Sequence, residues 1–254
     1  MTIPTIEEYE NKPDIDSFCR AYDHVLTQDQ CDEYIELYEQ TLRVDADKQR
    51  KLSVCYREDG TKTCGDCNCM RINPQEYDRF ETLNKITIDR FQQVTEQYKK
   101  DVGVHPNQWP DKWGYEELRI KRFLIEGGGK SNPNMENNFH GLEQHVDIYS
   151  FAHAKRFLCI MIYLNDDFWD GETVFPLFDT AVKPKKGQAF VFPPMWTYLH
   201  YGAAPKGPSK LGAKYFLMTH LNYIDMTQVN EYEGKSFIRT EAANDPLLHT
   251  GTIK

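Results

Sequence analysis

Apolar positions recur at helical spacing through the front of the chain and in short alternating runs through the back, with the change of period near residue 115. Thr27, followed three residues later by Gln30, fits a capping box, and Cys31, Tyr34, Ile35, Tyr38 and Leu42 then fall on one helical face. A second, longer helix is expected from Asn73-Pro74, where a proline suits the first helical position. Tyr77, Phe80, Leu83, Phe91, Val94 and Tyr98 lie on one face of it and Gly103 is its stop. Both stripes read as core packing, so the two helices are expected to buttress a sheet. From Glu116 onward, runs at 118–125, 142–149, 156–164, 172–175, 188–192 and 214–223 are rich in β-branched and aromatic residues and are separated by turn clusters. That many short strands predicts a barrel or a sandwich, hence an α+β, mainly β protein. Residues 127–134, Gly-Gly-Gly-Lys-Ser-Asn-Pro-Asn, form a loop by composition; the lysine and serine are not at P-loop spacing and no helix pattern follows. Periodicity fades from residue 224, which predicts an extended, partly ordered tail. The reading is of one integrated domain: a helical support region at 1–114 with a Cys-rich loop, a strand-rich core at 115–224 and a tail at 225–254.

Composition narrows the class. The chain has 254 residues, 40% of them apolar and 13% aromatic, enough to bury a proper core. Its longest apolar run, 157–164, is eight residues, well short of the ~20 a membrane helix needs, so no membrane partner is expected. The start, Met1-Thr-Ile-Pro-Thr-Ile-Glu-Glu, lacks the basic opening and apolar centre of a signal peptide, and a cytoplasmic location is expected. A net charge of -9 disfavours nucleic acid, whose phosphates attract basic faces. Seven cysteines, an odd number at no disulfide spacing, are expected to be reduced. Cys55, Cys64, Cys67 and Cys69 supply the four thiolates of a structural zinc site, but Cys-x-Cys is tight for one tetrahedron and a second Cys-x-x-Cys knuckle is lacking. Zinc and a reduced loop near the active-site entrance both stay open. Cys19, Cys31 and Cys159 lie in helical or strand patterns and are expected as small buried apolar residues.

Candidate chemistry centres on three residues. In His145-Val146-Asp147, on an expected strand, residues two apart point the same way, so an imidazole and a carboxylate converge. His200, after Phe190-Val-Phe-Pro-Pro194, is the best third ligand. Two histidines and one carboxylate leave three metal positions open, the arrangement of non-haem Fe(II) oxygenases. On ligand type alone, zinc-dependent hydrolysis remains open as well.

These motifs, taken in order, resemble those of the Fe(II)/2-oxoglutarate-dependent dioxygenases, and within them the prolyl 4-hydroxylase-like group. Leu118-Arg-Ile-Lys-Arg-Phe123 is similar to the strand before the family's metal loop, and His145-Val-Asp147 to its iron motif. Arg156-Phe-Leu-Cys-Ile-Met-Ile-Tyr-Leu-Asn165, with Asp170-Gly-Glu-Thr-Val-Phe-Pro176, resembles its "YLN … GGET-FP" signature. Val182-Lys-Pro-Lys-Lys-Gly187 and Ala189-Phe-Val-Phe-Pro193 then lead to His200, the match to the distal iron histidine. The resemblance spans residues 115–224 and implies a double-stranded β-helix (jelly-roll, cupin-like) catalytic core. It implies Fe(II) held by His145, Asp147 and His200, 2-oxoglutarate and O2 as co-substrates, and ascorbate as the reductant that rescues oxidised iron. The far carboxylate of 2-oxoglutarate needs a buried cation; Lys210 and Lys214 are the candidates, and Gly212-Ala213-Lys214 followed by an apolar strand matches the family pattern better. Tyr163 and Thr173 match positions that hydrogen-bond the same carboxylate.

The resemblance also implies a peptide or protein substrate, with Arg156 near it as in peptidyl-prolyl hydroxylases. Three departures touch the substrate side: Leu142 stands for a tyrosine three residues before the iron histidine, Phe123 for a tyrosine that helps hold 2-oxoglutarate, and His220 for a tryptophan six residues past Lys214. Arg156 and His220 are thus the candidate substrate residues, with a peptidyl proline as the expected target. The same oxygenase chemistry on another side chain, small molecule or nucleobase, or a non-catalytic barrel that binds a ligand, are the alternatives. The loop at 125–141 reads as a substrate lid or an insertion. Trp196, Tyr198 and Tyr201 flank His200 and either line the substrate cleft or pack the barrel mouth, with packing expected for Trp196.

Overall fold

The computed structural model describes residues 18–44, 69–125 and 141–224. Helix α1 (Gln28–Val44) starts where expected. The Thr27 amide donates to Gln30 Oε1 (2.9 Å) and the Gln30 amide to Thr27 Oγ1 (3.2 Å), which satisfies two amides that lack helical partners. Cys31, Tyr34, Ile35, Tyr38 and Leu42 are buried along it, together with Thr41. Helix α2 (Glu81–Asp101) begins later than the sequence predicted. Its expected first turns are wound instead as two short 3-10 segments, Pro74–Glu76 and Asp78–Phe80. Asn73 captures the Gln75 amide with its side chain (3.0 Å) and Tyr77 is extended, at φ -135°, so the helical run is interrupted. Gly103, at φ +65°, turns the chain out of α2.

Among the described residues thirteen strands follow one another: β1 (Arg20–Tyr22), β2 (Cys69–Ile72), β3 (Trp113–Tyr115), β4 (Arg119–Leu124), β5 (Leu142–His145), β6 (Arg156–Tyr163), β7 (Trp169–Asp170), β8 (Thr173–Phe175), β9 (Thr180–Val182), β10 (Ala189–Phe192), β11 (His200–Gly202), β12 (Pro205–Lys206) and β13 (Ala213–Tyr223). A large sheet runs β1-β10-β6-β13-β4-β2, with β3 also pairing to β13. A smaller one runs β5-β11-β8-β9, and β12 pairs with β7. Every strand pair is antiparallel.

The large sheet is buried on both faces because side chains alternate along its strands. From β6 and β13, Leu158, Ile160, Ile162 and Leu217 join the helices' Tyr34, Ile35, Phe91 and Val94 in one cluster. The intervening residues, Cys159, Met161, Tyr163, Phe216 and Met218, form a second cluster with Phe175, Phe190, Phe192 and Tyr198. The helices therefore buttress one face of the sheet, as expected, and the other face looks into the site.

The front region is not solely helical, because β1 and β2 are strands of the large sheet. The strand expected at 142–149 ends at His145. Cys19 is half-buried rather than buried, whereas Cys31 and Cys159 are buried. Cys55, Cys64 and Cys67 of the proposed zinc cluster, residues 126–140 of the lid candidate and the tail at 225–254 lie outside the described residues, and Cys69 opens β2. Among the described residues no helix is long and apolar enough to cross a membrane.

Candidate active site

A cavity opens between the two sheets, with Phe123, Met161 and Lys214 on one side and His145, Thr173 and His200 on the other. His145 closes β5 and His200 opens β11, and the two are directly opposed in the antiparallel ladder. That register brings their rings to 4.4 Å between centroids. Asp147 follows just past the end of β5, with Oδ1 3.5 Å from His145 Nε2 and Oδ2 4.0 Å from His200 Nε2. One donor atom from each residue lies within 4.8 Å of the others.

The local environment prepares these groups for a cation. His200 Nδ1 sits 2.9 Å from the Tyr198 carbonyl, so Nδ1–H donates there and the Nε2 lone pair faces Asp147. Burial among Phe175 and Phe192 pushes the His200 imidazole down to about 4, so it is neutral near pH 7. Burial opposes ionisation of Asp147, yet the imidazoles of His220 and His145 hold its carboxyl well below the usual range. Asp147 Oδ2 is buried and accepts no hydrogen bond. A bare carboxylate oxygen beside a neutral imidazole lone pair fits a divalent metal ion, and two nitrogens with one oxygen suit Fe(II).

Behind Asp147 lies a buried polar network. Glu116 receives Arg156 through Nε (2.7 Å) and Nη2 (2.8 Å), Arg119 Nη2 (2.7 Å) and Asn222 Nδ2 (3.2 Å). His220 stands between two carboxylates, with Nδ1 3.3 Å from Glu116 Oε2 and Nε2 3.2 Å from Asp147 Oδ2. Arg156 Nη1 also donates to the Asp147 carbonyl at 2.9 Å. The sequence assigned Arg156 and His220 to substrate; the structure places both against Asp147, and neither is among the residues lining the cavity. Glu116 and Arg119 were missed, although two acidic residues entering an apolar strand beside an arginine are a readable sign of a buried ion pair.

This network has a pH signature. Burial raises the Glu116 carboxyl, but its bonds to His220, Arg156 and Arg119 outweigh that and hold it far below its ordinary 4.5. A carboxyl depressed in the folded state stabilises above its unfolded value, and that contribution disappears as pH falls through the folded one. Thermal unfolding should therefore show a melting temperature that falls as pH drops below about 4.5. Glu116→Gln should flatten that slope; an unaltered slope would assign the acid sensitivity elsewhere.

Lys214 lies deep in the cavity and is 3% exposed. Its Nζ donates to the Gly171 carbonyl (2.6 Å) and lies 5.3 Å from the ring centres of both Tyr163 and Phe216. Tyr163 Oη and Thr173 Oγ1 are 2.8 Å apart, and Thr173 reaches the cavity wall. Lys210 is exposed, and its amide is bonded to Asp167. Phe123 stacks on Phe216 (5.4 Å, 10°) and Leu142 completes the wall, so neither position brings a hydroxyl to the cavity. Trp196 does not pack: it is 77% exposed, because the 3-10 turn Trp196–Tyr198 directs Tyr198 inward onto Phe175 and Phe178 instead. Tyr201 is half-buried.

Fold and site together describe an antiparallel-sheet protein with a His-Asp-His cluster set in a cavity between its sheets. No protein-family model matches the sequence. Over 85 residues the chain is 49% identical to the "Putative prolyl 4-hydroxylase" of Acanthamoeba polyphaga mimivirus, a match spanning 32% of each protein. Its fold is similar to that of the viral collagen prolyl hydroxylase of Paramecium Bursaria Chlorella virus-1 in its complex with 2-oxoglutarate, at a TM-score of 0.52 and 19% identity, covering 82% of this chain and 97% of that one. It is also similar to a prolyl hydroxylase of Trichoplax adhaerens bound to a hypoxia inducible factor peptide fragment, at a TM-score of 0.53 and 11% identity, covering 82% and 84%. The resemblance read from the motifs stands: the chain is prolyl 4-hydroxylase-like in local sequence and in fold.

Proposed function

We propose that the protein is an Fe(II)- and 2-oxoglutarate-dependent dioxygenase that hydroxylates a peptidyl proline, its two sheets being the halves of a double-stranded β-helix. The observation that carries the reading is one cavity holding both His145, Asp147 and His200 within ligating distance and the deeply buried ammonium of Lys214. The relatives' names support the prolyl target and the co-substrate.

His145, Asp147 and His200 would hold Fe(II), which with 2-oxoglutarate and O2 supplies oxidative decarboxylation to succinate and CO2 coupled to hydroxylation of the substrate. Lys214 would pair with the far carboxylate of 2-oxoglutarate, with Tyr163 and Thr173 as hydroxyl partners on the same wall. Phe123, Phe192 and Phe216 keep bulk water from that ion pair, which strengthens it. Arg156 and His220 fix Asp147 from behind and so orient a ligand rather than touch substrate.

The test is succinate formation from 2-oxoglutarate under Fe(II) and air, with and without proline-containing peptides. Iron-dependent succinate that a prolyl peptide stimulates is the expected result. Iron-dependent succinate that no peptide stimulates would retain the oxygenase and discard the prolyl target. No succinate with iron bound would favour a barrel that only binds its ligand.

A further inference from the structure

The cavity contains a second cation that the proposed chemistry leaves unused. Lys121, on β4, is half-buried and lines the same wall as Phe123, with its Nζ 5.8 Å from the Phe216 ring centre. Phe216 therefore lies close to both ammonium groups, Lys214 and Lys121. Along β4 the other cations are committed: Arg119 to Glu116 and Glu117, Arg122 to Glu39 on α1. Among the described residues no carboxylate comes within ion-pair distance of Lys121.

A charge count turns this into a requirement on the substrate. The network behind the site has no surplus negative charge to offer Lys121, since Glu116 and Glu117 already face Arg119, Arg156 and the His220 ring. If the proposed function is right, a divalent iron beside Asp147, a doubly charged 2-oxoglutarate and the Lys214 ammonium add up to no net charge. Lys121 then leaves one positive charge facing the remaining space. While the cavity is wet, water solvates it; a bound substrate displaces that water, and an ammonium stripped of water without an anion is costly.

Resting on that reading of the site, we propose that Lys121 is a specificity-determining residue that selects prolyl substrates carrying a carboxylate close to the target ring. The carboxylate has two sources, the side chain of a flanking Asp or Glu and the α-carboxylate of a C-terminal proline. A neutral prolyl peptide leaves Lys121 desolvated and unpaired, and is bound less tightly for that reason.

Calorimetry on the full chain loaded with Mn(II) and 2-oxoglutarate reads this without turnover. Three peptides are compared: end-capped with neutral flanks, end-capped with Asp or Glu beside proline, and neutral with a free C-terminal proline. The wild type should bind at least one carboxylate-bearing peptide about tenfold more tightly than the neutral one, equivalent to about 1.4 kcal/mol. Which of the two gains identifies the source. Lys121→Met, which keeps the stem, should bring the ratio to about one, Lys121→Glu should reverse it, and Lys121→Arg should retain it. Equal affinities in the wild type would overturn the proposal. So would a Lys121→Met protein whose loss falls on 2-oxoglutarate affinity, because Lys121 would then serve the co-substrate. Failure of the underlying reading shows separately, as absence of Fe(II)-dependent succinate or as equal binding of peptides with alanine in place of proline.

Discussion

Asp147→Ala should lose iron-dependent turnover of 2-oxoglutarate altogether while keeping the fold. Removing a residue that merely supports a metal ligand typically costs 10- to 100-fold, so loss of one of three ligands should cost on the order of a thousandfold or more. The fold should survive for a reason visible in the network. Glu116 keeps both arginines, and Arg156 still reaches the backbone carbonyl of residue 147, which alanine retains. The variant also takes away the carboxylate that faces His220 Nε2 at 3.2 Å, so a modest loss of stability is expected without loss of the fold. Bound iron per chain, succinate release and the circular-dichroism spectrum would be measured together. Turnover undiminished, or iron retained at full occupancy, would remove Asp147 from the metal site.

Lys214→Ala should raise the KM for 2-oxoglutarate by about 30-fold or more, the equivalent of about 2 kcal/mol for truncating one partner of a buried charge pair. The effect should fall on KM more than on kcat, because the far carboxylate is remote from the bonds that change. Lys210→Ala is the control, since its side chain is exposed and outside the cavity. Should Lys210→Ala raise the KM and Lys214→Ala leave it alone, the anchor has been assigned to the wrong lysine.

Long periodic elements were legible in the sequence and short ones were not. The stripe of α1 and its capping box reappear residue for residue, and the long apolar runs became β6 and β13. Strands of two or three residues, such as β1, β3 and β7, are too short to show a period and are fixed by their neighbours across the sheet. The convergence of His145 with Asp147 was readable from spacing, although Asp147 lies beyond the strand end rather than on it. That Arg156 and His220 lie against Asp147 was not readable, because their placement depends on Glu116, which a strand pairing some hundred residues apart brings to His220. Pairings of that kind leave no local trace. Lys121 was hidden for the opposite reason: one lysine in Arg-Ile-Lys-Arg looks like its neighbours until their ion pairs are known.

The order of strands has a consequence for how the protein is made. The middle of the large sheet belongs to β13, which alone joins β6 to β4 and is the last strand of the described chain to leave the ribosome. Until residues 213–223 emerge, the large sheet is left as three unconnected pieces, β1-β10-β6, β4-β2 and β3, and a nascent chain that already holds His145, Asp147 and His200 still lacks the wall that bears Lys214 and Phe216. Non-local antiparallel pairing of this kind is slow, since distant segments must meet before any contact rewards them. The cavity is therefore completed only once β13 has emerged, and any nascent chain stopped short of β13 exposes the apolar edges of β4 and β6 to aggregation.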